Sequence, residues 1–313
     1  MTLMKKLLAT IASLVVLGCG ILSAQVEQYS IDVQPFSSLD LSGPFQVSLV
    51  RGSQYRVLIS VSEPLKPYVE CSTLGSTLSL TLDERRVPAD VKRQFRGRNT
   101  PDPVYSAVIY VPDLLQSVTI SGKAAMHDTE DVFDKARVVF SLSGNAAVKA
   151  VSLSSLVFKL EMRGKSSADF EVSCRECAVD IANTSSLVMV EKSEDSFYTI
   201  AGSSKSRVKC NTERLTLNAK GNASMSLSGE GDGATFELGS TSEVDASSFK
   251  VSDADVRMSS VSRLSVAADN VLRVNLNGGS TLLFSGDPAV SIDNIRSATM
   301  SRLNSDGVNS SKL

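Results

Sequence analysis

A five-residue motif returns at nearly constant spacing through the C-terminal two thirds of this chain, and it constrains the fold more than any other feature. It begins as Ser121-Gly122-Lys123-Ala124-Ala125 and Ser143-Gly144-Asn145-Ala146-Ala147, then Arg163-Gly164-Lys165-Ser166-Ser167 and Ala182-Asn183-Thr184-Ser185-Ser186. Related segments follow at Gly202, Gly221, Gly239, Ser259 and Gly278. Counted from Gly122, the steps between these second residues are 22, 20, 19, 19, 19, 18, 20 and 19. Such a series marks a repeat architecture.

Each unit carries two short alternating runs, as in Ser206-Arg207-Val208-Lys209-Cys210 and then Arg214-Leu215-Thr216-Leu217-Asn218. Alternation of this kind is the period of a half-buried strand. Neither run buries enough alone, but equivalent strands stacked about 4.8 Å apart would bury a continuous column. The fold class predicted is therefore all-β, a parallel β-helix-like solenoid with coils of about 19–20 residues. Nine marked coils would make a column roughly 40 Å long. The recurring Gly or Asn supplies a position that tolerates positive φ at each corner, and the neighbouring Ala and Ser let corners approach. Val208, Leu215, Leu217, Phe170 and Val172 are the predicted inward residues. A pair of β-sandwiches is the competing architecture, but sandwich loops have no reason to keep one length.

Upstream of the repeat, residues 25–115 read as an N-terminal β head, and 116–313 as the repetitive body. Alternating runs at Tyr29–Val33, Phe45–Leu49, Tyr55–Val61, Leu78–Leu82 and Tyr105–Val111 are separated by Gly, Ser or Pro turns, as paired strands require. Pro64 and Pro67 bracket a short helical or irregular crossover near Leu65–Val69. With 42% hydrophobic residues, 5% aromatic and no Trp, the interior must be built mainly from Val, Leu, Ile, Ala and Phe.

Lys5 and Lys6 precede an apolar run from Leu7 to Leu17, followed by Gly18, Cys19 and Gly20, which is the order of an export signal. Residues 1–24 are read as a removed signal peptide, cleaved after Ala24. The alternative is a lipoprotein signal ending before Cys19, which would tether the chain through a lipid on that cysteine. The protein is thus expected to be exported to the periplasm, the outer membrane or the exterior. A net charge of -2 gives no global reason to bind nucleic acid or an anionic membrane.

The basic residues concentrate in one place, Asp83 to Pro103, which holds Arg85, Arg86, Lys92, Arg93, Arg96 and Arg98. One reading is a patch for an acidic glycan, a lipid headgroup or a protein partner. The other is a solvated insertion between strands, diluted by Asp83, Glu84, Asp90 and Asp102, without a stacking pattern of aromatics. Arg93, Arg96 and Arg98, with Tyr68 beside the crossover, are the recognition candidates.

Catalytic and metal readings find less support. Cys174-x-x-Cys177 lies in a strand-like run, not at a helix start that would lower a thiol pKa, so a local disulfide or two buried thiols is expected and a redox role is not. A zinc site would need further Cys or His close by, and the chain has only His127. His127 and the adjacent Asp128 would point to opposite faces of a strand, which argues against a Ser-His-Asp assembly with Ser121. Acids at similar phase, namely Glu176, Glu194 or Asp195, Glu213, Asp232, Asp253, Asp269 and Asp287, could stack into a row. That row is the basis of the alternative function, a β-helical polysaccharide lyase or hydrolase, and of a Ca2+ site; a solubilising edge explains it as well. No catalytic residue, cofactor or metal ligand is assigned.

Further similarity lies in the head. Phe36-Ser37-Ser38-Leu39-Asp40-Leu41-Ser42-Gly43-Pro44-Phe45-Gln46-Val47, Gly52 with Val57–Val61, and Val111-Pro112-Asp113-Leu114-Leu115 leading to Val118–Gly122 resemble the auto-transporter adhesin family with a head GIN domain. That family is common among exported proteins of Bacteroides-type gut bacteria. The resemblance spans nearly the whole mature chain and implies a β-helical, envelope-associated protein. It carries no catalytic residues across. The function expected is noncatalytic adhesion, ligand binding or scaffolding in the envelope, with an envelope or extracellular protein or carbohydrate as partner.

Overall fold

A computed structural model describes residues 25–98 and 100–303. The export segment 1–24, with Cys19, lies outside the described residues. Twenty strands follow one another. Those of the head are β1 (Val26–Asp32), β2 (Ser38–Leu41), β3 (Gln46–Arg51), β4 (Arg56–Ser62), β5 (Val69–Leu74), β6 (Thr77–Leu82) and β7 (Tyr105–Val111). A 3-10 helix at Glu63–Tyr68 and a one-turn helix α1 (Ala89–Arg93) interrupt them. Then come β8 (Ser117–Ile120), β9 (Ala125–Thr129), β10 (Arg137–Leu142), β11 (Ala147–Met162), β12 (Ser167–Ile181), β13 (Ser186–Ile200) and β14 (Lys205–Ala219). The chain continues as β15 (Ser224–Leu238), β16 (Glu243–Met258), β17 (Arg263–Asn277), β18 (Thr281–Ser285), β19 (Ala289–Arg296) and β20 (Thr299–Arg302).

The body is a β-solenoid. Every strand from β10 to β17 pairs in parallel with its successor, and the register steps by one coil, as in Met189↔Val208↔Leu227. The predicted inward residues Val208, Leu215, Leu217, Phe170 and Val172 are all buried. Where two strands per unit were expected, a single strand of 15 or 16 residues runs. The polar residues between the two runs make a bend, because ladder pairing continues through it: Asn211 and Thr212 stay opposite Lys192 and Ser193.

The sharp corner lies between strands, where one residue takes positive φ and its carbonyl accepts a hydrogen bond from the coil above. Thus Lys165 N donates to Gly144 O at 2.6 Å, Ser203 N to Asn183 O at 2.6 Å, and Asn222 N to Gly202 O at 2.7 Å. A Cβ on Gly202 would stand 2.7 Å from Asn183 N and O, so a side chain there would push the neighbouring corner back. At two corners the phase differs by one residue from the spacing reading: the left-handed residues are Ser240 and Ser260, at φ 62, and not Gly239 and Ser259. Ladder register decides this, since Thr241 N donates to Gly221 O and Val261 N to Ser240 O. The buried serine two places on, as at Ser185, Ser204, Ser242 and Ser262, donates back across its own turn at 2.8–2.9 Å. These hydroxyls hold corners.

Parallel stacking continues into the head, but not in sequence order. β2 and β3, joined at Gly43, form the coil next to β8 and β9, and β6 and β7 form the coil beyond it. Antiparallel strands then close this end: β4 and β1 extend one sheet beyond β7, and β5 extends the other beyond β6. One apolar core runs from Phe36 to Leu282 without a break between head and body. The segment Asp83–Val104 takes the place of a corner in the outermost coil, between β6 and β7.

Candidate functional site

The corner insertion is held at its root and free at its tip. Val87 is buried beneath it, and Pro88 starts α1 with Asp90 in its first turn and Lys92 and Arg93 in its last, charges that suit the ends of a helix. One of its cations and one of its acids are paired. Arg86 pairs with Glu70, and Lys123 with Glu84 at 3.0 Å; the Asp83 carboxylate accepts from the Arg85 backbone N–H at 2.9 Å. Arg85, Lys92, Arg93, Arg96 and Arg98 have no carboxylate partner among the described residues. Beside them opens a cleft of ≈ 460 Å³, lined by Leu65, Val87, Phe95 and Tyr105 on its apolar side and by Arg85, Lys92, Arg96 and the Glu84–Lys123 pair on its charged side. Burial, with Glu84 nearby, raises the Tyr105 pKa above its ordinary value, so this phenol stays protonated. The arrangement offers ring faces and guanidinium donors to one ligand, which suits a sugar carboxylate, a sulfate or a phosphate ester.

The candidates read from sequence are distributed unevenly about this cleft. Arg96 lines it, whereas Arg93 and Arg98 are exposed on the same insertion. Tyr68 closes the 3-10 helix, half-buried against the core, and is not among the cleft's lining residues. Arg85 and Lys92 of the basic concentration line the cleft too, together with Phe95 and Tyr105, which were not among the recognition candidates. A stacking partner does accompany the charge, because Tyr105 arrives from the far end of the insertion.

The acid row assembles only in part. Register places Glu176 next to Asp195, but the following positions in that column are Arg214 and Gly233 before Asp253 appears. Arg214 closes on Asp195 with bonds of 2.5 and 2.7 Å, which holds the Asp195 carboxyl below its usual range. Arg175 lies 3.5 Å from Glu194. Charges alternate in this column, whereas in the one beside it the flanking ladder pairs set Glu194, Glu213 and Asp232 in line, with Arg214 3.8 Å from Glu213. His127 is half-buried on β9, with Nδ1 3.4 Å from Ser48 Oγ of the neighbouring coil.

One polar cluster is internal. The bend of β12–β14 brings Cys174, Cys177, Glu191, Ser193, Ser196, Tyr198 and Cys210 together inside the column. Glu191 accepts from Ser193 Oγ at 2.7 Å and Ser196 Oγ at 2.6 Å through one oxygen, and from the Tyr198 hydroxyl through the other. The cysteines are free thiols. Burial pushes the Cys177 and Cys210 thiols and the Tyr198 phenol well up, with Glu191 adding to each shift. Cys174-x-x-Cys177 thus has the carboxylate of Glu191 beside it. Glu191 was legible: in Leu187-Val188-Met189-Val190-Glu191, the alternation that buries Leu187 and Met189 also turns Glu191 inward.

Two facing parallel sheets, a left-handed corner every coil and an antiparallel cap define a capped β-solenoid. The chain belongs to the family described as "Putative auto-transporter adhesin, head GIN domain", whose profile matches residues 35–205 and again 178–288. The two matches overlap, as expected when one profile meets a repeating coil. Among solved structures, a "putative lipid binding protein" from Parabacteroides distasonis is similar at 15% identity and a TM-score of 0.50, covering 89% of this chain and 97% of that one. A "putative adhesin" from Parabacteroides merdae has 13% identity and a TM-score of 0.47, covering 90% and 97%. A second "putative adhesin" from Parabacteroides distasonis has 13% identity and a TM-score of 0.48, covering 89% and 97%. No curated protein matches the chain. Among the described residues, no helix is long and apolar enough to cross a membrane.

Proposed function

We propose that this protein is a noncatalytic adhesion or ligand-binding scaffold of the cell envelope that captures an anionic group at its capped end. The observation that carries the reading is the set of five cations, Arg85, Lys92, Arg93, Arg96 and Arg98, left without carboxylate partners beside the half-buried rings of Phe95 and Tyr105. Cations elsewhere, such as Arg207 and Arg263, also stand without a carboxylate partner among the described residues, but here three of them, Arg85, Lys92 and Arg96, converge with two rings on one cleft. Family membership supports the envelope setting. Export by the segment 1–24 is the finer part of the proposal, with the periplasm or the outer-membrane surface as destination. The 25–115 segment serves here as the cap that carries the site.

The test is a binding comparison between the mature chain and an Arg85→Gln/Lys92→Gln/Arg96→Gln variant. One arm uses a panel of uronic-acid and sulfated glycans, the other vesicles with and without phosphate-bearing anionic lipid. Binding in one arm is expected, weakened at least about tenfold in the variant and falling with added salt. Binding that is equal in the two proteins would overturn the site. Release of reducing ends or unsaturated products from a polysaccharide by the purified chain, lost in Glu176→Gln/Asp195→Asn, would overturn the noncatalytic role.

A further inference from the structure

Apart from the serines that hold its corners, the interior of this solenoid is largely aliphatic and aromatic except at one bend. Glu191 is the one charged side chain among the buried residues described, 2% exposed. Three consecutive coils meet there. Val172, Glu191 and Cys210 stack in one inward column, and Phe158, Cys177, Ser196 and Leu215 in another. Cys174 sits at the bend of β12, half-buried, just where ladder pairing between β12 and β13 is interrupted.

One sulfur from each of Cys174 and Cys177 and one oxygen of Glu191 lie within 4.8 Å of one another. Bonds of about 2.3 Å to sulfur and 2.0 Å to oxygen make a tetrahedral zinc site with ligand atoms roughly 3.5 Å apart, a gap that small rotations of these side chains close. A C-x-x-C pair followed by donors from later in the chain is the common spacing for that metal. Thiolates select zinc or cadmium over calcium and magnesium, which prefer oxygen alone. The hydrogen bonds that orient a ligating carboxylate are already in place, since Ser193, Ser196 and Tyr198 all donate to Glu191. Cys210 lies one coil beyond Glu191 with its sulfur 3.6 Å from Ser196 Oγ. A surface cleft of ≈ 660 Å³ reaches Glu191 past Glu171 and Ser173 and gives an ion a way in.

We propose that Cys174, Cys177 and Glu191 bind a zinc ion, with Cys210 as the fourth ligand, and that the ion clamps three successive coils together in the middle of the column. The role is structural and independent of what the cap binds. It accounts for a carboxylate in an apolar interior and for three thiols gathered from two coils around it.

The experiment is a titration of the reduced mature chain with Cd2+, read by the ultraviolet thiolate-to-cadmium absorption band and followed by displacement with Zn2+. One equivalent is expected to saturate the band, and Zn2+ to raise the melting temperature. Cys174→Ser and Cys177→Ser should each lose the saturable band, Glu191→Gln should weaken binding at least about tenfold, and Cys71→Ser, in the cap, should match the parent. Circular dichroism of each variant before titration establishes that it is folded; Cys174→Ser, at a half-exposed bend, serves if Cys177→Ser does not fold. Three results would overturn the site: no band in the reduced parent, an undiminished band in folded Cys174→Ser, or a Cys174–Cys177 disulfide found by mass spectrometry in protein recovered from the envelope.

Discussion

Gly229→Ala is expected to destabilise the solenoid severely, while Gly233→Ala, four residues along the same strand, is expected to leave its melting temperature nearly unchanged. Gly229 takes φ +117, and a Cβ there would stand 1.9 Å from the carbonyl oxygen of Cys210 in the preceding coil. That oxygen belongs to a backbone fixed by ladder bonds on both sides, so it cannot withdraw without opening the stack. Conformational strain of about 1–3 kcal/mol adds to the clash, for a total above roughly 3 kcal/mol. Gly233 meets nothing within 4 Å and has no unusual φ. Gly75→Ala separates the two causes, since Gly75 has φ +60 with nothing within 4 Å and should lose only about 1 kcal/mol. Melting of the three variants by circular dichroism checks the order; equal melts for Gly229→Ala and Gly233→Ala would mean that the coils are not pressed together as described.

Phe170→Ala should cost about 3–5 kcal/mol, the range for emptying a packed aromatic site. Phe170 is 1% exposed, its ring centroid 4.9 Å from that of Phe140 and 5.4 Å from that of Phe158. Phe133 lies 5.5 Å beyond Phe140. These rings fill the start of the column, where the first coils of the body rest on the cap, so the cavity cannot collapse without shifting two neighbours. Phe197→Ala is the matched control on the outer face, at 45% exposed, and should change stability by less than about 1 kcal/mol. Denaturant midpoints for the two variants measure the difference, and a small loss at Phe170 would show that this part of the core is loosely packed.

The coil and its corners were legible because a left-handed residue against a neighbouring backbone admits little besides Gly or Asn, and Gly144, Gly164, Asn183 and Gly202 obey. Ser240 and Ser260 escaped because serine can adopt φ 62 at some cost when ladder bonds over-determine it, while the adjacent Gly239 drew attention to the wrong place. The bend at Asn211–Glu213 looked like a break, since polar residues interrupt the apolar alternation in either case. Stacking order in the cap could not be read at all: alternation identifies β6 and β7 as strands, but nothing local says that they lie outside β2 and β3. The acid row was legible only in part for a related reason. Position within a unit gives phase only to within a residue or two, and one residue decides whether Asp195 meets Glu213 or Arg214.

Coils are locked in phase, nineteen residues apart from Asn183 through Gly202 and Gly221 to Ser240, and a pair of deletions tests this most directly. Removing Ser203–Gly221 joins Gly202 to Asn222, which restores the corner because Gly221 stacks on Gly202 with Asn222 N bonded to Gly202 O. Strands on either side can then restack as β13 on β15, with one coil's burial lost. Removing only Ser203–Thr212 joins the corner to the second half of β14 and forces a left-handed turn where the ladder requires extended strand. Soluble yield, strand circular dichroism and thermal melting of the two should diverge, with the longer deletion folded and cooperative and the shorter one insoluble or without a transition. Equal collapse of both, repeated for the equivalent pair at the coil from Asn183 to Gly202, would contradict the phase-locked stack.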